Sequence, residues 1–357
     1  MHKPVAKPPL PHILRLDVLR AVAIGLVVMI HFYWSIRGEL PLQVDHFWKP
    51  FFAWGVNGVP LFFLISGFCI HFSFMKSGML SKRDFYWRRF TRIYPAYFAS
   101  MMFFAILAIL KISGAISAKQ VLLHVFFIHN FFPAPVFYGI NAPYWSLAIE
   151  FQFYLLYPLL LVFRYKYGLK NCLAAVFLLS LGYAALCLKY PIISATVSNP
   201  TIVPDWYGWI LGACIAEAYV EGRPLFPWKG WFVAMAMILM ITYNCLNGWN
   251  FILKLSVYLF FGALMQNYLN WCNPLFWWER TLVPLGVVSY SVYLWHYPFL
   301  VFVHGKFGSV FDVPASLLWQ TAVYLPLTVL CTGPFVLMSY FLLERRAMKW
   351  MRKWRSA

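Results

Sequence analysis

Ten stretches of this chain are long and apolar enough to cross a bilayer, at about residues 16–36, 51–75, 94–112, 144–164, 171–189, 203–219, 228–246, 251–270, 284–303 and 316–343. A span needs roughly 17–25 such residues. No other feature constrains the fold as much. Backbone N–H and C=O groups in hydrocarbon find no water and must bond within their own segment, so each stretch reads as a helix. The composition agrees. Of 357 residues, 62% are hydrophobic and 11% charged, against about 45–50% and about 25% in soluble domains. The expected fold is an all-α integral membrane protein, a bundle of about ten transmembrane helices. Residues 1–357 read as a single polytopic membrane domain, with a cytoplasmic arm at 1–15 and a basic cytoplasmic tail at 344–357. The first stretch lacks a small-residue cleavage site after it, so it is expected to remain as a span and not leave as a signal peptide. The weakest stretch is 203–219, with Asp205 at its start and Glu217 near its end. The linker 113–143 carries VLLHVFFIHNFF. About twelve residues are too few to span, which predicts an interfacial or re-entrant helix.

The formal net charge is +18. In a soluble protein that would suggest a nucleic-acid partner. Here the distribution gives a simpler account. With ten spans and the N-terminus inside, 22 of the 29 Lys and Arg face the cytoplasm and 7 face outward. The positive-inside rule then predicts an N-in, C-in topology and calls for no nucleic acid. Seven Cys are scattered, mostly in apolar runs, with no CxxC pair or Cys/His cluster. Neither a disulfide frame nor a metal site is expected. No internal repeat is visible, which disfavours the duplicated transporter folds.

Ionisable groups inside a membrane are costly and mark function. Residues 14–32 read LRLDVLRAVAIGLVVMIHF, uncharged from Ala21 to Ile30 but bracketed by Arg20 and His31. Eleven residues apart, the two share a helix face about 16 Å apart along the axis. Asp17 is i−3 to Arg20 and can pair with it. Snorkelling to the interface is the alternative for Arg20, and a core histidine bonded to a neighbouring helix the alternative for His31. In FYWRRFTRIYPAY (85–97), Arg88, Arg89 and Arg92 cluster at the cytoplasmic mouth of the third span. Such a cluster suits bidentate phosphate binding; ordinary positive-inside charge is the alternative. Glu150, in PYWSLAIEFQFYLLYP (143–158), sits about six residues into the fourth span and needs a partner, a proton or a polar cavity. His296, in GVVSYSVYLWHYP (286–298), lies about twelve residues into the ninth span, with Trp295 and Tyr297 as the belt-like alternative.

Depth links these groups. His31, Glu150 and His296 fall in the outer half, and Arg20, Arg88, Arg89 and Arg92 at the inner face. A donor anchored inside by phosphates could present its reactive end to a base further out. That geometry suits group transfer across the membrane, and coenzyme A, a phosphorylated nucleotide with a thin arm ending in a thioester, has the shape for it.

The same stretches resemble the membrane acyltransferase family 3, bacterial enzymes that O-acylate cell-surface and secreted saccharides. LDVLRAVAIGLVVMIH looks like the family's first-helix motif, matched by Arg20 and His31, and VPLFFLISGF (59–68) like its second-helix signature. RRFTRIYP carries its Arg-x-x-Arg at Arg89 and Arg92, and WSLAIEFQFYLLYP the segment with its Glu, here Glu150. SYSVYLWHYP matches the late Ser-Tyr…His segment, and FLLERR (341–346) partly matches the terminal Glu motif. Ala21 replaces a common Gly, and Arg346 stands where Pro is common, which weakens the case for Glu344. The chain resembles members without a C-terminal esterase-like domain, so any onward acyl carrier is expected within the bundle or from a partner.

The resemblance implies acyl transfer, usually acetyl, from acyl-CoA to a saccharide hydroxyl in the bacterial inner membrane, without a metal. O-antigen, exopolysaccharide or a glucan are open acceptors, and surface-polysaccharide biosynthesis proteins possible partners. The expected site has His31, Glu150 and His296 as catalytic groups and Arg20, Arg88, Arg89 and Arg92 binding CoA. His31 is the expected general base or acyl carrier, with Glu150 orienting an imidazole or the acceptor. A transporter or flippase for a saccharide or anionic compound is the rival; it needs no arginine cluster confined to one face. A transferase with a lipid-linked donor is disfavoured, because no paired acids accompany the arginines to hold a metal.

Overall fold

The computed structural model describes residues 13–77, 81–110, 115–189, 201–226, 237, 251–271, 273–307 and 316–356. Among these, every regular element is a helix: α1 (Leu14–Ile36), α2 (Leu42–Ala53), α3 (Gly58–Ser77), α4 (Lys82–Ile109), α5 (Ala118–Val125), α6 (Ala134–Phe137), α7 (Tyr144–Tyr167), α8 (Leu169–Lys189), α9 (Val203–Glu221), α10 (Phe251–Asn270), α11 (Trp277–Val287), α12 (Ser289–Phe307), α13 (Leu317–Met338) and α14 (Arg345–Ser356), with a π-helical turn at Ser339–Glu344. Six helical stretches among the described residues are long and apolar enough to cross a membrane, or seven if α11 and α12 form one broken span. The expected span at 228–246, apart from residue 237, and most of the arm at 1–15 lie outside the described residues.

The weakest expected span is deeply enclosed. In α9, Asp205 and every residue from Tyr207 to Ala216 are buried. A helix surrounded by protein needs no lipid-compatible surface, so α9 tolerates acids if they are paired. Asp205 accepts from Lys254 Nζ (2.8 Å) and Tyr258 Oη (3.0 Å) of α10. Glu217 meets Arg164 Nε (2.5 Å) of α7 and His71 Nε2 (3.1 Å) of α3. α3 and α9 pack with their backbones in contact. A Cβ at Gly67 would collide with the Trp209 carbonyl oxygen, and one at Gly212 with that of Leu64. Glycines at these two facing positions let the backbones touch, the usual device where hydrophobic driving force between helices is weak.

Three expected boundaries shift, each for a local reason. The second stretch, expected from 51, reaches back to Leu42, with α2, a 3₁₀ turn at Trp54–Asn57 and α3 in succession. The third does not begin near residue 94. It starts at Lys82, where Ser81 Oγ caps Asp84 N–H (3.1 Å). At 28 residues α4 is about 42 Å long, so the arginines lie within its first three turns and not in a loop. The ninth is not continuous. It breaks at Val288 with a 72° bend between α11 and α12. Pro284 lies in the last turn of α11, and Gly286 rests against the Asp17 carbonyl of α1, where any Cβ would clash. The linker holds the expected short helix: α5 opens with a capping box between Ser117 and Gln120. One face of the linker is buried through His124, Phe127 and His129, while Leu122, Phe126 and Phe131 point outward. Phe127 takes a positive φ of 56°, held by ring stacking on Tyr97 (4.3 Å) and Phe151 (4.8 Å).

Candidate active site

The break at Val288 leaves the N-terminus of α12 against a partly open cavity of about 140 Å³ lined by α1, α3, α4, α7, α11, α12 and the π turn. Arg20, Arg89 and Arg92 line it, with Ser66, Cys69, Ser146, Glu150, Tyr154, Ser289, Tyr293 and Glu344. Arg88 is not among the lining residues; it occupies the adjacent position on α4.

Each arginine is positioned differently. Arg20 Nη1 donates to buried Asp17 (2.6 Å), the i−3 pair expected from sequence, and Nη2 reaches Cys69 Sγ (3.1 Å) on α3. Arg89 has no carboxylate partner among the described residues. Its guanidinium lies 5.8 Å from the Phe85 ring centroid and 5.9 Å from that of Tyr154, and its buried Nε has no hydrogen-bond partner. Arg92, more exposed, interacts electrostatically with Glu344. The two carboxylates of the cavity are satisfied by hydroxyls. Tyr154 Oη donates to Glu150 (2.5 Å), and Ser291 Oγ to Glu344. Ser66 Oγ lies 3.3 Å from Tyr154 Oη, and Trp209 Nε1 donates to Ser66 Oγ (3.3 Å). Because an ionised carboxylate only accepts, this chain has one direction: Trp209 to Ser66 to Tyr154 to Glu150. A helix N-terminus and three arginines, one without an acidic partner, leave the cavity suited to an anion.

His31 and His296 lie beyond the cavity wall and meet each other. His296 Nε2 is 2.9 Å from His31 Nδ1, although 265 residues separate them. His296 Nδ1 sits 2.9 Å from the Tyr293 carbonyl and 3.1 Å from that of Val292. A carbonyl oxygen can only accept, so Nδ1 of His296 carries the proton. A neutral imidazole has one N–H, so its Nε2 is bare and accepts from His31 Nδ1. His31 Nε2 then holds a free lone pair, the arrangement a general base requires.

The structure thus divides the expected residues into two groups. Arg20, Arg89, Arg92 and Glu150 share the cavity; His31 and His296 form a pair outside it. Glu150 touches Tyr154 and no imidazole; the ring oriented against His31 is His296. Between the groups stand Tyr293 and Ser146, hydrogen-bonded at 2.5 Å, with the Tyr293 hydroxyl also on the Pro143 carbonyl (2.8 Å). The Tyr293 ring lies 5.7 Å from His296 and 6.1 Å from Phe62. Glu344, discounted in the sequence for its departure from the family pattern, is buried in the cavity. Ser66 and Ser146 were singled out by no sequence signal beyond falling inside quoted motifs, because a serine in an apolar run costs little and stands out little.

Comparison with known proteins adds what geometry cannot. The chain matches the family model described as an acyltransferase domain over residues 13–351. It is 25% identical over 333 residues to O-acetyltransferase OatA of Staphylococcus aureus, in strains COL and NCTC 8325. The alignment covers 82% of this chain and 51% of those proteins, so the chain spans about half the length of the curated relatives it matches. No solved structure matches. Matched by this family model over residues 13–351, the chain belongs to the acyltransferase domain family.

Proposed function

We propose that this protein is an O-acetyltransferase that moves an acetyl group from cytoplasmic acetyl-CoA to a hydroxyl of an exported or cell-surface saccharide. One membrane domain would carry the reaction. Its ten spans would be the seven described, α9, α10 and the 228–246 stretch, with both termini in the cytoplasm of a bacterial inner membrane. The observation that carries the chemistry is the His31–His296 bond, which leaves His31 Nε2 as an unprotonated base.

Arg20, Arg89 and Arg92 would hold the donor's phosphates, helped by the α12 N-terminus, while Glu150 and Glu344 keep the cavity polar. Arg88 would contribute only general positive charge at the mouth. The thioester arm would then pass the Tyr293–Ser146 contact to reach His31. His31 Nε2 removes the acceptor's hydroxyl proton as the oxygen attacks the thioester carbonyl. The C–S bond breaks, and the thiolate takes the proton from the imidazolium. His296 keeps the ring in the productive tautomer. The relatives' printed names, O-acetyltransferase, support acetyl over other acyl groups; O-antigen, exopolysaccharide and glucan remain equal candidates for the acceptor.

The test is thiol release from acetyl-CoA by purified protein, wild type against His31→Ala. Loss of release in a variant that still inserts and binds CoA supports the assignment. Release at the wild-type rate would remove His31 from the mechanism. Absence of both release and CoA binding in the wild type would favour the transporter reading.

A further inference from the structure

The donor cavity and the histidine pair leave one part of the reaction without a place: the acceptor. On the side of His31 away from the cavity, α1, α12 and α13 form a seam in which aromatic and polar groups succeed one another. Trp34, one turn after His31, sets its ring edge-on to the imidazole at 5.3 Å, and Tyr297 does so from α12 at 5.0 Å. Trp34 is 45% exposed. Tyr297 and His304 are seven apart on α12, hence on one face and about 10 Å apart along it. Glu39, in the 3₁₀ turn that ends α1, joins this row. Its Oε1 lies 3.2 Å from His304 Nε2, and its Oε2 accepts from Gln320 Nε2 (3.2 Å) of α13. The Glu39 side chain is still 44% exposed, which leaves carboxylate lone pairs open to further donors.

We infer that this seam is the acceptor site, and that it takes a saccharide of at least two residues. The ring to be acetylated rests on Trp34 and Tyr297, with one hydroxyl toward His31 Nε2. The neighbouring residue places its hydroxyls on the exposed Glu39 carboxylate, which His304 and the buried Gln320 hold in place. The sequence of surfaces matches the ligand's chemistry: sugar rings offer apolar C–H faces for aromatic planes and a rim of hydroxyls for a carboxylate. The 10 Å between the two clusters exceeds one sugar ring. An aromatic belt facing lipid accounts for Trp34 alone, but lipid tails offer nothing to the exposed carboxylate of Glu39. This assignment rests on the reading of His31 as the base.

The experiment uses the full-length protein in membrane vesicles, radiolabelled acetyl-CoA, and the delipidated saccharide fraction of the host envelope as the probe. Label transferred to saccharide is followed against saccharide concentration for wild type, Trp34→Ala, Trp34→Phe and Glu39→Gln, with CoA affinity measured beside it. The expected result is a roughly tenfold loss of transfer at sub-saturating saccharide for Trp34→Ala and Glu39→Gln. That corresponds to ~1.4 kcal/mol of acceptor binding. CoA affinity stays at the wild-type value, and Trp34→Phe recovers most of the loss. Wild-type transfer in both variants overturns the site and turns the seam toward lipid. A loss that Phe does not recover, accompanied by weakened CoA binding, makes Trp34 a structural support of α1. A wild-type protein that binds CoA yet labels no saccharide refutes the occupant, and one that does neither refutes the acetyltransferase reading itself.

Discussion

Arg89→Met tests whether the cavity is built for an anion. Arg89 is a partly buried charge with a sealed Nε, held between two aromatic rings, with no acidic partner among the described residues. Such a group costs stability in the empty protein, because its desolvation is not offset by a counter-charge. A methionine of similar length keeps the packing against Phe85 and Tyr154 and removes the charge. Two effects of opposite sign should follow. The empty protein gains stability by ~1 kcal/mol or more, since replacing unfavourably buried charge with apolar volume stabilises by about that amount. The donor loses charge-assisted hydrogen bonds worth about 1.5–3 kcal/mol, which weakens CoA binding by roughly 10- to 150-fold. Thermal unfolding in detergent, with and without CoA, reads both at once: the variant melts higher than wild type when empty, and CoA raises its midpoint less. A variant that melts lower when empty and binds CoA as the wild type does would show that Arg89 is a structural cation, and the anion site would have to be sought elsewhere.

Three further outcomes follow from the same geometry. His296→Gln leaves His31 Nδ1 without its imidazole acceptor; losing one hydrogen bond of about 0.5–1.5 kcal/mol together with tautomer control should cut thiol release about tenfold or more while CoA affinity is retained. Burial lowers the His124 pKa to about 4, and burial together with the stacked His124 ring at 3.8 Å lowers that of His129 to about 2. The unfolded chain takes up these protons near pH 6.5 and the folded linker does not, so stability is complete above about 6.5 and falls as the pH drops toward 4; a melting midpoint independent of pH over that window would contradict the packing of this linker. Gly286→Ala drives a methyl group into the Asp17 carbonyl and should destabilise by about 1–3 kcal/mol, lowering both the melting midpoint and, through the displaced α12 N-terminus, CoA binding. An unchanged midpoint would mean that α11 and α1 are not in contact.

Much of the site was legible in the sequence because of where the charges are. An arginine or histidine amid apolar residues is conspicuous, and the spacing of Arg20 and His31 places both on one face of α1. In the structure Arg20 lines the cavity, and His31 meets His296 outside it. Glu150 and Glu217 stood out for the same reason. What stayed illegible was the partner of each group. Nothing local says that Glu217 belongs with Arg164 and His71, that Glu150 answers to a tyrosine one turn away instead of to an imidazole, or that Glu344 returns to the cavity from the far end of the chain.

The sequence by itself determined that the chain is helical and membrane-bound, and which groups are too expensive to be there without a purpose. Both follow from one-dimensional information: the length of an apolar run against the thickness of a bilayer, and the cost of a charge within it. Only the tertiary structure decided that α9 is the enclosed helix, that the ninth span breaks at Val288, and that His31 and His296 share a hydrogen bond. Each depends on which surfaces fit against one another, on glycines at Gly67, Gly212 and Gly286 that admit a backbone where a side chain would clash. Steric fit between segments hundreds of residues apart leaves no periodic trace in either segment, and for that reason it becomes visible only once the helices are packed.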